Sequence, residues 1–347
     1  MLKYLTVSSL FFASSLAAEP LRVVADIAPL HSLTTQVMGD LGAPELLTPP
    51  NASPHGHALR PSEAARLQAS DLLIWVGPLM SPWLAEAKSE MAPEAASLAL
   101  MDAEGTLLLA KRGAHMHDHG HAHEEEKPVK AEGHDHEDHD DHGHDDHAEE
   151  GHDHDSHADD EHAHDDHGHD HEAKADAPRM DPHLWLDPEN AVIWLSLIAE
   201  ELARLDPANA DTYRSNAATA AAAIEAQATA NAARLSALSD LEFLTAHDAY
   251  QYFEVRFGLT SHAAVTDSDD QDAGPAHLRE VLAGSPGLGC FVIEPSTPKS
   301  SITLVTETLN IPAVTIDPLG ADLPLGAGHY ASLMESLTAG FETCLKP

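Results

Sequence analysis

Residues 21–40 read LRVVADIAPLHSLTTQVMGD, a short aliphatic run followed by a segment with a different periodicity. The first part is rich in β-branched residues and closes at Pro29, which predicts a short buried strand. In the second part Leu33 and Val37 are four residues apart and Gly39 follows, which predicts a helix that ends at the glycine. A strand followed at once by a helix is the repeating unit of a parallel α/β sheet.

The same alternation continues as far as residue 114. The next predicted strands are PELLTPP (44–50), DLLIWVGP (71–78) and SLALMD (97–102), and the helices between them are PSEAARLQAS (61–70) and SPWLAEAKSEM (81–91). Strands that alternate with helices of this length indicate a mainly parallel sheet with helices on both faces.

A second alternating region lies beyond residue 178. One helix is predicted from Pro188, and an Ala-rich helix from Pro207 to Ser236 would be about 45 Å long at the usual helical rise. The strands EFLTAH (242–247), CFVIEP (290–295) and AVTIDPLG (313–320) follow among further helices. The expected fold class is therefore α/β, with two lobes, each a small mainly parallel sheet flanked by helices, joined by a long backbone helix.

An acidic, histidine-rich tract separates the two regions. Residues 115–171 contain 19 of the 27 histidines and 22 acidic residues, against two lysines. Dense like charge with few apolar residues cannot offset the entropy of ordering, so we predict a disordered metal-binding insert. The chain has a formal net charge of −40, which argues against nucleic acid as a partner and favours cations.

The first residues, MLKYLTVSSLFFASSLAAEP, are typical of a secretory signal peptide. Lys3 precedes an apolar run over residues 4–16, and the small residues Ala17 and Ala18 follow. The alternative is a membrane anchor, but the run is shorter than the ~20 residues that a spanning helix needs. We therefore expect the protein to be exported.

These patterns predict six segments in the chain. They are a signal peptide (1–18), an N-terminal α/β lobe (19–114), a disordered His/Asp-rich metal-binding insert (115–177), a return to the N-terminal lobe (178–206), an interdomain backbone helix (207–239) and a C-terminal α/β lobe (240–347).

The two cysteines, Cys290 and Cys344, both lie in the predicted C-terminal lobe. An oxidising compartment favours a disulfide between them, and closing a loop of that length is worth about 4 kcal/mol in the loop-entropy model. A cysteine-containing metal site is the alternative, but the sequence has no CxxC pair to support it.

Three of the eight histidines outside the tract occupy comparable places. His55 follows a predicted strand, His183 precedes the helix that starts at Pro188, and His247 ends the strand EFLTAH. Ligands of open parallel sheets collect at the carboxyl ends of strands, so the three imidazoles could meet on one zinc ion and leave one coordination position. Taken singly, each is more readily interpreted as a surface or helix-capping residue than as a ligand. Apart from His57, we expect the remaining histidines outside the tract to be solvated. They are His31, His262, His277 and His329.

Five motifs follow one another in the chain: ASPHGHALRPSEAARLQASDLLIWVGP (52–78), DPHLWLDPENA (181–191), HDAYQYFEVRFGL (247–259), CFVIEP (290–295) and TIDPLG (315–320). In this order they resemble the metal-binding subunits of bacterial ABC importers for zinc and manganese, and especially the zinc-binding members. The resemblance covers essentially the whole mature chain. It implies a monomeric periplasmic solute-binding protein, not an enzyme, that captures zinc in an interlobe cleft and delivers it to a membrane permease and its ATPase.

The resemblance also implies a set of ligands. The family's metal histidines correspond to His55, His183 and His247, and manganese-binding relatives have a carboxylate at the third place. Imidazole suits zinc, whereas carboxylate-rich sites suit manganese. Asp317 matches the fourth ligand of those relatives. Some zinc members use a glutamate just before the first histidine, but Pro54 stands there, so the fourth ligand is Asp317 or water. The alternative role for Asp317 is to cap the adjacent loop.

Three further residues are expected near these ligands. Glu294 and Asp187 are candidates to orient ligand imidazoles through the second ring nitrogen. A backbone-capping role is the alternative for Glu294. We expect His57 on the cleft wall rather than on the metal. The alternative functions are a manganese importer subunit, a free periplasmic zinc buffer and a zinc hydrolase, and the last lacks a matching general base.

Overall fold

Eight strands and nine α-helices form in the described part of the chain, which in this computed structural model is residues 20–112, 180–238, 242–268, 273–285 and 287–346. The strands are β1 (Val23–Ala25), β2 (Glu45–Leu46), β3 (Leu72–Trp75), β4 (Ala96–Ala99), β5 (Glu242–His247), β6 (Thr260–Thr266), β7 (Phe291–Ile293) and β8 (Ala313–Thr315). The helices are α1 (Ala28–Met38), α2 (Pro61–Ala69), α3 (Pro82–Met91), α4 (Pro188–Leu205), α5 (Ala210–Leu235), α6 (Gln251–Phe257), α7 (Pro275–Ala283), α8 (Lys299–Leu309) and α9 (His329–Leu345).

The first four strands form one parallel sheet in the order β2-β1-β3-β4. Every residue of β1 and β3 is buried, because helices cover both faces of the sheet. This explains why the sequence of these strands is a continuous apolar run rather than an alternating one.

The last four strands form a second parallel sheet with the equivalent order, β6-β5-β7-β8. The expected α/β class with two small parallel sheets is confirmed. Strand β6 was not predicted, because its sequence TSHAAVT is mostly small and polar and it lies at the sheet edge, where only one neighbouring strand selects its residues.

Helix α5 is the predicted long helix, and its 26 residues give it a length of about 39 Å. The side chain of Asn216 donates to the carbonyl of Val37 at the end of α1, 3.0 Å away. Further along α5, Asn231 donates to the carbonyl of Met334 in α9 at 3.4 Å. One helix therefore packs against elements of both sheets, and the sheets belong to one compact unit.

The predicted disulfide between Cys290 and Cys344 is confirmed, and it ties the last turn of α9 to the residue before β7. Among the described helices, none is long and apolar enough to cross a membrane. The predicted signal peptide (1–18) and the insert (115–177) lie outside the described residues, and the lobe boundaries stay a prediction.

Candidate metal centre

Three separate segments bring His55, His183 and His247 together at the carboxyl end of β5. His247 is the last residue of β5, the strand at which the order of the second sheet reverses. His55 lies on the irregular loop between β2 and α2, and His183 lies in the turn before α4. Crevices outside the carboxyl ends of strands at such reversal points are the usual ligand sites of open α/β sheets.

The three imidazoles are close enough to share one ion. One potential ligand nitrogen of each ring lies within 4.8 Å of the others, and the ring centres are 4.8 Å (His183 to His247), 5.4 Å (His55 to His183) and 5.7 Å (His55 to His247) apart. Two nitrogens held tetrahedrally at ~2.0–2.1 Å from one zinc lie roughly 3.4 Å apart, so only a small contraction is needed. No other group of three or more His, Cys, Asp or Glu side chains in the described ranges has this geometry.

Two of the three rings are held by a carboxylate on their Nδ1 side. Nδ1 of His183 lies 2.7 Å from Oδ1 of Asp181, and Nδ1 of His247 lies 3.0 Å from Oε1 of Glu294. An Nδ1–H that donates to a carboxylate fixes the ring orientation and leaves Nε2 as the metal-binding atom. In His183, Nε2 is buried and has no hydrogen-bond partner among the described residues, so its electron pair is available to a metal ion.

The expected contact of Glu294 with one of the three imidazoles is confirmed for His247, but the expectation for Asp187 is wrong. Asp187 accepts from the backbone N–H of Glu189 and so caps α4, and it forms an ion pair with Arg256. The partner of His183 is instead Asp181, two residues upstream, which also accepts the backbone N–H of His183 at 2.9 Å. The motif DPH contains this aspartate. Its spacing of two residues from the histidine is compatible with a tight turn in which the Asp181 carboxylate contacts the His183 ring.

Burial sets the charge state of His183. The ring is only 2 % exposed, and this desolvation, helped by the positive groups around it, lowers its pKa well below the usual value of a histidine. Burial also raises the pKa of Asp181 to about 6, against which the backbone N–H of His183 and the charge of Arg112 act. At neutral pH the imidazole of His183 is therefore uncharged, the form that can donate an electron pair to a metal ion.

The loop that carries His55 is fastened to the helices behind it. The indole N–H of Trp83 donates to the carbonyl of Pro54 at 2.8 Å, and Nε2 of His57 lies 2.8 Å from a carboxylate oxygen of the buried Glu63. The rings of His57 and Trp83 meet edge to face, with centres 5.3 Å apart. The expectation that His57 lines the cleft is wrong, because its side chain holds the loop from behind; no sequence motif indicated the partnership with Trp83.

The cleft in front of the three histidines has a volume of about 410 Å³. Besides the histidines it is lined by residues of three loops: Pro50–Pro54, Glu294–Ser296 and Asp317–Leu319 with Ala321 and Asp322, together with Met80 and Trp185. A cleft of this volume leaves room for a solvent molecule or another ligand beside the histidines.

Asp317 lines this cleft, but both of its carboxylate oxygens already accept backbone N–H groups, from Leu319 at 2.8 Å and from Ala321 at 2.7 Å. It therefore shapes the loop after β8, and it lies outside the group formed by the three histidines. Its role as a fourth ligand stays a prediction.

The four remaining histidines of the described chain lie away from the three. His329 contradicts the expectation of a solvated residue, because it is buried and its two ring nitrogens lie near the carbonyl oxygens of Leu319 and Pro324. It thereby supports the same loop that Asp317 shapes. A histidine at the start of a helix gave no sign of this burial in the sequence.

Comparison with known proteins assigns the chain to a family. A family model described as "ZnuA: Zinc-uptake complex component A periplasmic" matches residues 23–344. The chain belongs to the ZnuA family. The resemblance read from the five motifs is confirmed, and the high-affinity zinc uptake system protein ZnuA of Paracoccus denitrificans is 40 % identical over 348 residues, which cover 97 % of this chain and 98 % of that protein.

Solved structures share the ZnuA fold at much lower sequence identity. One is a zinc-bound ZnuA with residues 138–173 of its own chain deleted, with a TM-score of 0.67 at 19 % identity, covering 95 % of this chain and 99 % of that one. Another is the solute-binding protein FpvC of Pseudomonas aeruginosa in complex with Mn²⁺, with a TM-score of 0.69 at 18 % identity, covering 94 % of this chain and 99 % of that one. At such identities the likeness shows the fold alone.

Proposed function

We propose that this protein is the periplasmic zinc-binding component of an ABC-type zinc importer, with His55, His183 and His247 as the protein ligands of zinc. The observation that carries the proposal is the convergence of three imidazoles from three segments, their potential ligand nitrogens within 4.8 Å of one another. Membership of the ZnuA family and the 40 % identity to a high-affinity zinc uptake protein support it.

The donor set favours zinc over manganese. Imidazole nitrogen is a preferred ligand of zinc, whereas manganese is usually bound through carboxylate and other oxygen atoms. The carboxylates that contact the three rings, Asp181 and Glu294, are engaged with the Nδ1 atoms of His183 and His247. They therefore serve as outer-sphere partners that raise the basicity of the histidines.

The fourth coordination position faces the cleft. We propose Asp317 as its candidate ligand, with water as the alternative. Asp317 would have to bind zinc with lone pairs that its two backbone hydrogen bonds leave free. X-ray absorption at the zinc edge distinguishes the two: an Asp317→Ala variant loses a protein oxygen ligand and binds zinc more weakly if Asp317 coordinates. An unchanged spectrum and affinity would assign the position to water.

Transport requires that zinc be released to the importer. We propose that the protein acts as a monomer without catalytic activity and delivers zinc to a permease driven by an ATPase. Helix α5, which bonds to α1 and α9, would restrict the lobes to a small relative tilt, so release would need the permease to disturb the ligand loops. The His/Asp-rich insert would collect zinc at many weak sites and raise its concentration near the cleft.

Alanine substitution of the three histidines tests the site in the full chain. Competition with a chelator of high zinc affinity should reveal one tight site in the wild type and none in the triple variant, while the weak sites of the insert remain. His277→Ala is the control for the loss of a histidine elsewhere, because His277 lies on α7 and does not line the cleft. Tight binding that survives in the triple variant would overturn the assignment.

A second measurement separates a transport role from a free buffer. In a bacterial strain that lacks its own zinc-binding importer component, this protein expressed together with its cognate permease and ATPase should restore growth under zinc limitation. The triple-alanine variant should not. Equal rescue without the permease would favour the buffer.

A further inference from the structure

A buried ion-pair network forms around Arg112 and includes Asp248, the residue after His247. The guanidinium of Arg112 donates to both carboxylate oxygens of Glu254, at 2.7 and 3.0 Å, and to the carboxylate of Asp248. It also donates to the hydroxyl of Ser261 at 3.0 Å. Asp248 and Glu254 are almost fully buried, and the Arg112 side chain is only 17 % exposed. Burial acts to lower the pKa of Arg112, but the two carboxylates outweigh it and raise the pKa, so the guanidinium is charged.

The network joins two parts of the chain that are far apart in sequence. Arg112 follows Ala110, which pairs with Met180 in an isolated antiparallel bridge, and the N–H of Asp181 donates to the carbonyl of Leu109 at 2.9 Å. The partners of Arg112 lie elsewhere: Asp248 directly follows β5, Glu254 is on α6 and Ser261 is on β6. The guanidinium of Arg112, close to the bridge with Met180, thus forms ion pairs with the carboxylates of Asp248 and Glu254.

Both segments lead directly to a proposed zinc ligand. Asp248 is the residue after His247, and Asp181, which is paired with the backbone beside Arg112, holds His183. A second link lies next to the first: the N–H of Leu109 donates to the hydroxyl of Tyr252, and this hydroxyl donates to the carbonyl of Asp181. The distance between the two buried imidazoles therefore depends on how these segments are fastened together.

We propose that Arg112 is a positioning residue that sets the spacing of His183 and His247 before zinc arrives. The inference rests on the proposed zinc site and adds a residue that touches neither zinc nor a ligand. Because the guanidinium bonds with a planar fork to one carboxylate and reaches a second, it fixes both direction and distance, which a single ion pair cannot do. His55, on its irregular loop, would complete the site once zinc is bound to the other two.

The test compares zinc binding of full-chain variants that differ in this clamp. Arg112→Met removes it but leaves Asp248 and Glu254 as buried charges that lack a counter-ion, which is strongly destabilising. A second variant, Arg112→Met with Asp248→Asn and Glu254→Gln, removes the clamp without leaving such charges. Arg112→Lys keeps the charge but loses the fork. Circular dichroism and thermal unfolding show which of the three variants fold. The zinc affinity of those that fold decides whether Arg112 positions the histidines.

Arg256→Met is the matched control. Arg256 also links α6 to the start of α4 through buried Asp187, so its loss removes an ion pair between the same two parts of the molecule. Among the described residues, the bonds of Arg256 go to Asp187 and Glu189, and none goes to Asp248 or to the segment that pairs with Asp181. A variant that weakens zinc binding only through general loss of stability should therefore behave like Arg256→Met.

We expect the zinc dissociation constant to rise about tenfold when the clamp is removed, the lower end of the range for residues that orient metal ligands. Arg112→Lys should lie between this value and the wild type, and Arg256→Met should bind within twofold of the wild type. Visible absorption of bound cobalt(II), a spectroscopic substitute for zinc, should change in the clamp variants but not in the control.

Two outcomes keep the proposals apart. If the triple-histidine variant loses tight zinc while every folded Arg112 variant binds within twofold of the wild type with an unchanged cobalt spectrum, Arg112 is not a positioning residue and the zinc site stands. If the triple-histidine variant keeps tight zinc, the site itself is wrong. Equal weakening in Arg256→Met would also overturn the specific role of Arg112.

Discussion

Asp26 is a buried carboxylate whose titration should be visible in the stability of the whole protein. Asp26 directly follows β1, which occupies the same position in the first sheet as β5 does in the second. Its side chain is fully buried. Its two oxygens accept the backbone N–H groups of Ile27 at 2.8 Å and Val76 at 3.0 Å. Burial raises its pKa to about 7, although the two hydrogen bonds act in the opposite direction.

The direction in which pH changes the free energy of unfolding follows from proton uptake. Between the unfolded pKa of 3.8 and the folded pKa of about 7, the folded state binds more protons than the unfolded state, so the free energy of unfolding falls as pH rises. The stabilisation by this group is fully present below the unfolded pKa and is lost as pH passes through the folded pKa. The full window corresponds to about 4 kcal/mol, of which about 3 kcal/mol falls between pH 5 and 8.

Urea unfolding of Asp26→Asn and wild type, with a zinc chelator present, measures the pH-dependent contribution of Asp26 to the free energy of unfolding. Asparagine stays neutral, so the stability of the variant relative to wild type should increase by about 3 kcal/mol from pH 5 to 8. The other titrating groups cancel in the difference if they are independent of Asp26. Asp40→Asn, at an exposed position, is the control and should show no such trend. A constant difference between Asp26→Asn and wild type across this range would refute the reasoning.

Three further predictions concern the site and the disulfide. Asp181→Asn and Glu294→Gln should each weaken zinc binding by about 10- to 100-fold, since each alters the hydrogen bond that orients a ligand ring; equal chelator competition in variants and wild type would contradict this. Reduction of the bond between Cys290 and Cys344, 54 residues apart, should lower the free energy of unfolding by about 4 kcal/mol, and unchanged urea midpoints after reduction would exclude that contribution. Zinc affinity should fall from pH 7.5 to 5.5 as protons compete for imidazole, but the three histidines should release no more than two protons per zinc at pH 6, because His183 is already neutral there. Calorimetry in buffers of different ionisation enthalpy counts the protons, and a pH-independent affinity would argue against imidazole ligands.

The α/β class and the order of most elements could be read from periodicity. Strands such as β3 are continuous apolar runs bounded by turn residues, and helix α5 is an Ala-rich segment too long for a loop. Strand β6 could not be read in this way, since its small and polar residues become a strand only by pairing with β5. Local sequence carries little information about an edge strand whose stability comes from a partner elsewhere in the chain.

The sequence by itself determined the α/β class and the family and singled out the three histidines, because each depends on periodicity or on motifs written along the chain, whereas the export signal stays a prediction. Only the tertiary structure decided which carboxylate serves which histidine. It paired His183 with Asp181 rather than Asp187, and it joined Arg112 to Asp248 across 136 positions of sequence. Such partnerships depend on distances set when the sheets and helices pack together. A hydrogen bond requires a separation of about 3 Å, which neighbours in sequence do not guarantee and distant residues can achieve.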